Sequence, residues 1–181
     1  MSAPYNPVYV ANYIVDYVNE KCEGKSINNL KLQKILYFIQ ARKLVESGEP
    51  MFSGEIQKWK LGPVSPDVYH TFKMYGSRSI NDTEPVLVST DDPDAIFSGY
   101  EIHHFNAETD IPNPMDRTLI EETVDKLIDE NPFDLVEITH QHEIWKVDED
   151  KINNGGHNIS YTNDEIKNFF TNSGDDVRIW L

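Results

Sequence analysis

The 181-residue sequence predicts an α+β fold in which helices predominate and strands contribute one small β or extended element. Three observations lead to this class. Several segments place apolar residues at helical spacing, one of these segments has two apolar faces, and the candidate strands are few and short. No repeat, low-complexity run or linker divides the chain, so we expect a single compact domain over residues 1–181.

A first helix is expected over residues 8–22, where apolar residues share one face. A stripe of aromatic and acidic residues runs beside that face: Tyr9, Tyr13, Asp16, Tyr17 and Glu20. Two interpretations of this stripe stay open. The rings either pack on a later segment of the same domain, as half-buried tyrosines commonly do, or bind a partner protein, because rigid rings supply contact area at low entropic cost.

Residues 28–47 are expected to form a central helix that packs on both sides. At about 100° per residue, its apolar side chains fall in two nearly opposite sectors. One sector holds Leu32, Ile35, Leu36 and Ile39, and the other holds Leu30, Tyr37, Phe38, Ala41, Leu44 and Val45. Two narrow polar seams separate the sectors, with Lys31 and Arg42 in one and Gln33 and Gln40 in the other. Asn28 or Asn29 can cap the start of the helix, and Gly48 can end it.

A small two-stranded or extended element is expected within residues 51–61, followed by a turn over residues 62–66. Pro63 forces the residue before it out of the helical region, and Pro66 suits the first position of a new helix. That helix is predicted to run to about Tyr75.

The region 77–115 is the least regular part of the sequence, although 85–89 and 100–105 could be strands or extended loop. A clearer helix is expected to start around Asp116 and to stop at Asn131 and Pro132.

Two later segments resemble capping boxes, in which the first and fourth residues bond each other's backbone. Asp134-x-x-Glu137 is expected to open a short helix that reaches about Gln141, and Thr162-x-x-Glu165 is expected to open the last helix. The tail at residues 177–181 is apolar for a chain end. We therefore expect it to be tied down on the domain or held by a partner.

Acidic residues outnumber basic residues by 31 to 16, which gives a formal net charge of −15. Such a field repels phosphates, so direct binding of nucleic acid is not expected. The acidity serves solubility, or it steers the chain toward a partner with a basic surface, and both interpretations stay open. The single cysteine excludes an internal disulfide, and no segment resembles a signal peptide or a membrane span. We therefore expect a cytoplasmic protein with no membrane partner.

No catalytic, metal or cofactor site is predicted. His140 and His142 stand two residues apart, a spacing that points them to different sides of a helix and does not make a zinc site. Cys22 lies on the apolar side of the first helix, where a thiol acts as a small hydrophobe. The Gly155-Gly156 pair fits a turn better than a phosphate loop.

Several motifs follow one another in an order that chance does not supply. Asn29-Leu30-Lys31-Leu32-Gln33-Lys34-Ile35-Leu36-Tyr37 precedes Trp59-Lys60-Leu61-Gly62-Pro63-Val64-Ser65-Pro66-Asp67-Val68-Tyr69, and a Thr139-His140 pair precedes Trp145. With these motifs the sequence resembles the Panacea domain, the SocA-like antitoxin family. The resemblance is strong over residues 8–76, moderate over 134–171 and patchy in a variable middle segment, 77–133.

The resemblance implies a small helical domain that binds and neutralises a cognate toxin and has no catalysis of its own. Toxins of this family are diverse and include nucleotide-using, translation-inhibiting relatives of alarmone synthetases. We expect direct binding that blocks the active site of a toxin with a basic surface, in a hetero-oligomer with that toxin. Delivery of the toxin to a protease is an alternative that the family also uses, and an uncharacterised enzyme with His140 as acid or base is a weaker one.

The motif residues are expected to be structural, and the toxin is expected to bind the acidic surface and the tyrosine stripe. Leu32, Trp59 and Val64 are expected to lie in the core, and Gly62, Pro63 and Pro66 are expected to form the turn. The remaining structural members of the motifs are Tyr37, Tyr69, Thr139, His140 and Trp145. For Lys31, Gln33 and Lys34, hydrogen bonds along the seams and a polar site both stay open.

Overall fold

The computed structural model describes residues 3–91 and 99–181; residues 92–98, part of the variable middle segment, lie outside the described residues. The helices are α1 (Pro7–Lys21), α2 (Asn29–Ser47), α3 (Pro66–Phe72), α4 (Ala107–Asp110), α5 (Pro114–Leu127), α6 (Pro132–Gln141), α7 (Glu143–Lys146), α8 (Glu149–Asn153) and α9 (Asn163–Asn172). The strands are β1 (Ile56–Trp59), β2 (Gly62–Val64), β3 (Val86–Ser89), β4 (Tyr100–His103) and β5 (Ser160–Tyr161). The predicted α+β class, with helices predominant, is confirmed.

The strands form two small antiparallel sheets. In the first sheet β1 lies between β2 and β5, and Trp59 pairs with Gly62 at the end of the β1–β2 hairpin. In the second sheet β3 pairs with β4, with Leu87 opposite Ile102. Within 51–61, where a two-stranded or extended element was expected, β1 forms, and its partner β2 lies in the segment predicted as a turn. The strands near 85–89 and 100–105 form as β3 and β4.

Helix α2 is the centre of the fold, as predicted. Each residue from 31 to 41 is buried, and the helix contacts α1, α3, α5, α6, α9 and β2. The Asn28 side chain accepts a hydrogen bond from the Lys31 backbone N–H at 2.9 Å, which caps the first turn. Gly48 ends the helix with φ +80°, in the left-handed region that glycine adopts without steric cost.

One helix boundary was predicted wrongly. Asn131 and Pro132 were expected to stop a helix, and Asp134 was expected to cap the next one. Instead α6 starts at Pro132, and the Asn131 side chain caps it by accepting a hydrogen bond from the Phe133 N–H at 2.9 Å. The physical reason is that proline, with no N–H and a fixed φ, suits the first helical position as well as it suits a stop. By contrast, the capping box of Thr162 and Glu165 at the start of α9 is confirmed.

The apolar tail is tied down on the domain. Trp180 is only 4% exposed, and its ring lies 5.1 Å from the ring of Phe170 and 6.4 Å from that of Phe38, measured between centroids. Arg178 Nε donates a hydrogen bond to the Phe170 carbonyl at 2.7 Å. Of the two expectations for the tail, packing on the domain is therefore the one that the structure shows.

Candidate functional site

The tyrosine stripe of α1 packs against later segments of the domain. The Tyr13 hydroxyl donates a hydrogen bond to Glu121 of α5, and the Tyr17 hydroxyl lies 3.0 Å from both carboxylate oxygens of Asp125, one turn further along α5. The Tyr9 ring lies 5.3 Å from the imidazole of His103 on β4. The first interpretation of the stripe, packing within the domain, therefore describes these rings, and their role in partner binding stays a prediction.

Four of the five stripe residues share one groove. Tyr13, Asp16, Tyr17 and Glu20 line it together with Glu121, and its volume is about 440 Å³. Lys21 also borders the groove, and its ammonium lies 3.8 Å from the Glu20 carboxylate. Three carboxylates against one lysine leave the groove negative. We call this surface the acidic face and define it by the stripe residues and Glu121.

Titration of the acidic face follows from burial. Burial, with the hydrogen bond to Asp125, raises the pKa of Tyr17 to about 12. Burial and the bond to Glu121 likewise raise the pKa of Tyr13 above its usual value. Both hydroxyls therefore stay protonated at neutral pH and keep donating to α5. Burial, followed by repulsion from Glu20, raises the pKa of Asp16.

The polar seams of α2 are used by hydrogen bonds inside the fold. Lys31 Nζ donates to the Ile128 carbonyl at 2.7 Å, and Lys34 Nζ donates to the Pro63 carbonyl at 2.9 Å. Gln33 accepts from the Ser65 N–H at 2.9 Å through its side-chain oxygen. For Lys31, Gln33 and Lys34, hydrogen bonds along the seams and a polar site were both open, and the structure shows the hydrogen bonds. These bonds hold the surrounding loops against α2.

The surroundings of Gly62 leave no room for a side chain. Its φ is +88°, and a Cβ built there would overlap Thr139 Oγ1 and lie 3.0 Å from Lys34 Nζ. Only a glycine lets the β1–β2 hairpin come this close to α2 and α6. Lys34 is fully buried, and desolvation lowers the pKa of its ammonium group to about 7.

His140 in α6 and His142, which directly follows α6, have packing roles. The His140 ring stacks on Trp145, with 4.0 Å between centroids, and the Trp145 indole N–H donates to the Trp59 carbonyl at 3.1 Å. His142 is buried, its Nδ1 lies 3.2 Å from the Tyr37 hydroxyl, and burial lowers its pKa to about 4.

No group of three or more metal-ligating side chains comes together within residues 3–91 and 99–181. The thiol of Cys22 is half-buried at the end of α1, where burial and the nearby Asp125 raise its pKa, which is the opposite of what a nucleophile needs. In the described part of the chain, no helix is both long enough and apolar enough to span a membrane.

Sequence reasoning missed a second surface, which flanks Trp59 on the β1–β2 hairpin. Two adjoining cavities of about 300 and 520 Å³ share Trp59 and Lys60 in their walls. The smaller cavity is also lined by Leu61, Val64, Tyr69 and Lys73. The signal that could have located it is the hairpin itself, because pairing Trp59 with Gly62 leaves Lys60 and Leu61 at the exposed turn. We call this surface the Trp59 cleft.

Comparison with known proteins places the sequence motifs in a family. Residues 32–146, more than half of the chain, match the family described as "Antitoxin SocA-like, Panacea domain". The protein named "Antitoxin SocA" of Caulobacter vibrioides (strain NA1000 / CB15N) is 48% identical over 54 residues, which cover 30% of this chain and 29% of that protein. No solved structure matches the chain. On the extent of the domain match, the chain belongs to the SocA-like antitoxin family with a Panacea domain.

Proposed function

We propose that this chain is an antitoxin that neutralises a cognate protein toxin by binding it directly and blocking its active site, without catalysis of its own. The observation that carries the proposal is the family match over residues 32–146. The packed states of His140 and Cys22 support the non-catalytic part, because neither side chain is placed as an acid, base or nucleophile.

The acidic face is our proposed toxin-binding surface. Its groove combines half-buried tyrosine rings with three carboxylates, in a chain of net charge −15. The hydroxyl bonds to α5 fix the rings in place, so a partner would pay little side-chain entropy to bury them. The exposed Glu20 and the partly exposed Asp16 remain available for contact with cations.

The chemistry of this face favours a toxin with a basic site. An enzyme that uses nucleotides holds phosphate groups with lysine and arginine, and an acidic surface can both steer toward that site and cover it. We therefore propose a nucleotide-using, translation-inhibiting toxin, bound in a hetero-oligomer.

The test is co-expression with the product of the adjacent gene. We expect that product to arrest growth alone, and to be neutralised and co-purified when this chain is present. A neighbour that is harmless alone, or whose toxicity is unchanged by this chain, would contradict the antitoxin proposal. The lifetime of the toxin separates the two family mechanisms, because a toxin that disappears faster in the presence of this chain is being delivered to a protease.

The acidic face is tested separately by charge reversal. Asp16→Lys and Glu20→Lys should weaken the complex and reduce its dependence on salt, since each removes attraction to a basic surface and adds repulsion. Glu49→Lys, in the exposed loop after α2, is the matched control and should leave the affinity unchanged. If all three variants bind the toxin as tightly as the wild type does, the acidic face is not part of the interface.

A further inference from the structure

The Trp59 cleft is unusual in this acidic protein because its charged walls are positive. Among the described residues, the charged side chains that line its two cavities are Lys58, Lys60 and Lys73. Lys58 is buried and already paired with Asp148 and Glu165 at 2.9 and 2.8 Å. In the described part of the chain, Lys60 and Lys73 are not among the lysines that form ion pairs, and both are exposed. The cleft therefore offers two free cations where the protein as a whole carries a charge of −15.

Between these lysines the surface is apolar and aromatic. The rings of Trp59 and Tyr69 meet edge to face with 4.9 Å between centroids, and both are half-buried. Leu61, on the rim, is 47% exposed. Exposed apolar side chains grouped around a concave site are typical of a protein-binding surface.

Two polar side chains that line the smaller cavity, Asn29 and Gln33, are already satisfied inside the fold. The Asn29 side-chain amide donates to the Tyr69 carbonyl at 3.2 Å, and the Gln33 side-chain oxygen accepts from the Ser65 N–H. Around these two side chains, apolar contact and the ammonium groups of Lys60 and Lys73 are the main means of recognition. A nucleotide base needs hydrogen bonds to its edges for selective binding, whereas an apolar side chain next to carboxylates needs only what the cleft provides. The smaller cavity, at the lower end of the roughly 300–1,000 Å³ range of ligand pockets, has room for one such side chain.

We infer that the Trp59 cleft is a second toxin-binding site, which takes a segment of the toxin that presents an apolar side chain flanked by carboxylates. This inference rests on the proposed antitoxin function and adds to it a contact of opposite charge. The acidic face covers a basic surface of the toxin, and the cleft holds an acidic, apolar segment of the same partner. A complex with two contacts of opposite polarity fixes the orientation of the toxin, because rotating it would bring like charges together.

The first measurement is the affinity of the purified chain for the toxin by calorimetry. Leu61→Asp should weaken binding by about tenfold or more, because it places a like charge and a polar group where an apolar anchor sits. Lys60→Glu and Lys73→Glu should each weaken it severalfold. The controls are Leu87→Asp on β3, another exposed leucine, and Lys126→Glu on α5, an exposed lysine outside both cavities. All five positions are at the surface, and thermal unfolding of each variant verifies its fold.

The second measurement uses 5-fluorotryptophan in this chain with unlabelled toxin. Trp59 is half-buried, whereas Trp145 and Trp180 are only 2% and 4% exposed. The fluorine signal of Trp59 should therefore shift on binding, and the signals of Trp145 and Trp180 should not change. Trp59→Phe assigns the signal. ATP added without toxin is the competing probe, and a shift of the Trp59 signal by ATP alone would assign the cleft to nucleotides and overturn the inference.

The outcomes separate the two proposals. The inference is supported if the wild type binds the toxin, the cleft variants bind it more weakly and the control variants bind it as tightly as the wild type. If the cleft variants bind the toxin as tightly as the wild type does, the inference is overturned and the antitoxin function is left in place. A wild-type chain that does not bind the toxin at all overturns both.

Discussion

The buried Lys34 predicts a specific pH dependence of stability. Its side chain is fully buried with one hydrogen bond, to Pro63, and desolvation lowers its pKa from 10.5 to about 7. In the unfolded chain the same amine keeps its ordinary pKa. Between pH 10.5 and 7 the unfolded state therefore binds a proton that the folded state does not, so stability falls as the pH is lowered through this window.

The magnitude follows from the size of the shift. A lowering from 10.5 to about 7, at about 1.4 kcal/mol per pKa unit, gives roughly 5 kcal/mol between the two ends of the window. Above pH 10.5 the amine is neutral in both states, and below pH 7 it is charged in both, so the change is confined between these limits.

The assay compares the free energy of unfolding of the wild type and Lys34→Met, by urea denaturation from pH 7 to pH 10. Methionine fills similar space and does not titrate, so the difference between the two proteins should move in favour of the wild type as the pH rises. Leaving the Pro63 carbonyl without its donor adds a constant cost, which does not affect the slope. Lys146→Met, at an exposed lysine, is the control. A difference that stays constant within about 1 kcal/mol over this range would refute the account of Lys34 as a desolvated amine.

Three further predictions concern packing and acid stability. Gly62→Ala should cost roughly 2–4 kcal/mol of unfolding free energy, because it combines a left-handed φ with overlap on Thr139, and Thr139→Ser in the same background should not rescue it since the hydroxyl remains. His142 should contribute a drop of roughly 3 kcal/mol in stability from pH 6.5 to pH 4, because its imidazole takes up a proton in this range in the unfolded chain and stays neutral in the fold, and His142→Gln should remove that contribution while keeping a partner for Tyr37. Trp180→Ala should cost roughly 3–5 kcal/mol, and a loss below about 1 kcal/mol would show that the tail is not part of the core.

The elements that sequence reasoning predicted correctly are those specified by local patterns. The two-faced character of α2, its Asn28 cap and its Gly48 end are all contained in about twenty consecutive residues. The start of α6 was missed although its signal is local, because an Asn-Pro pair is compatible with both a helix stop and a helix start. Whether such a pair stops or starts a helix is decided by what the flanking segments can bury, and one segment alone does not contain that information.

The candidate site was predicted in part for the same reason. The tyrosine stripe could be located from its spacing, yet the acceptor of the Tyr13 hydroxyl lies 108 residues away, and no local pattern pairs them. The open question about Lys31, Gln33 and Lys34 had the same origin, since their partners are carbonyls and an N–H of loops whose positions depend on tertiary packing. The Trp59 cleft depends on the register of a short hairpin and on the placement of α3, and both are tertiary properties.

The two proposed surfaces would contribute differently to toxin recognition. The acidic face acts through long-range charge, which raises association rates and is shared by many acidic proteins, so it gives little discrimination between basic toxins. The Trp59 cleft acts at contact range through apolar burial, where one wrongly placed charge is costly, so it discriminates strongly. Both surfaces are attached to α2, through α5 on one side and β2 on the other, and the seam bonds hold their spacing fixed. A family that keeps this scaffold and changes its toxins would therefore vary the cleft rim, at Lys60, Leu61 and Lys73, more than the seams that support it.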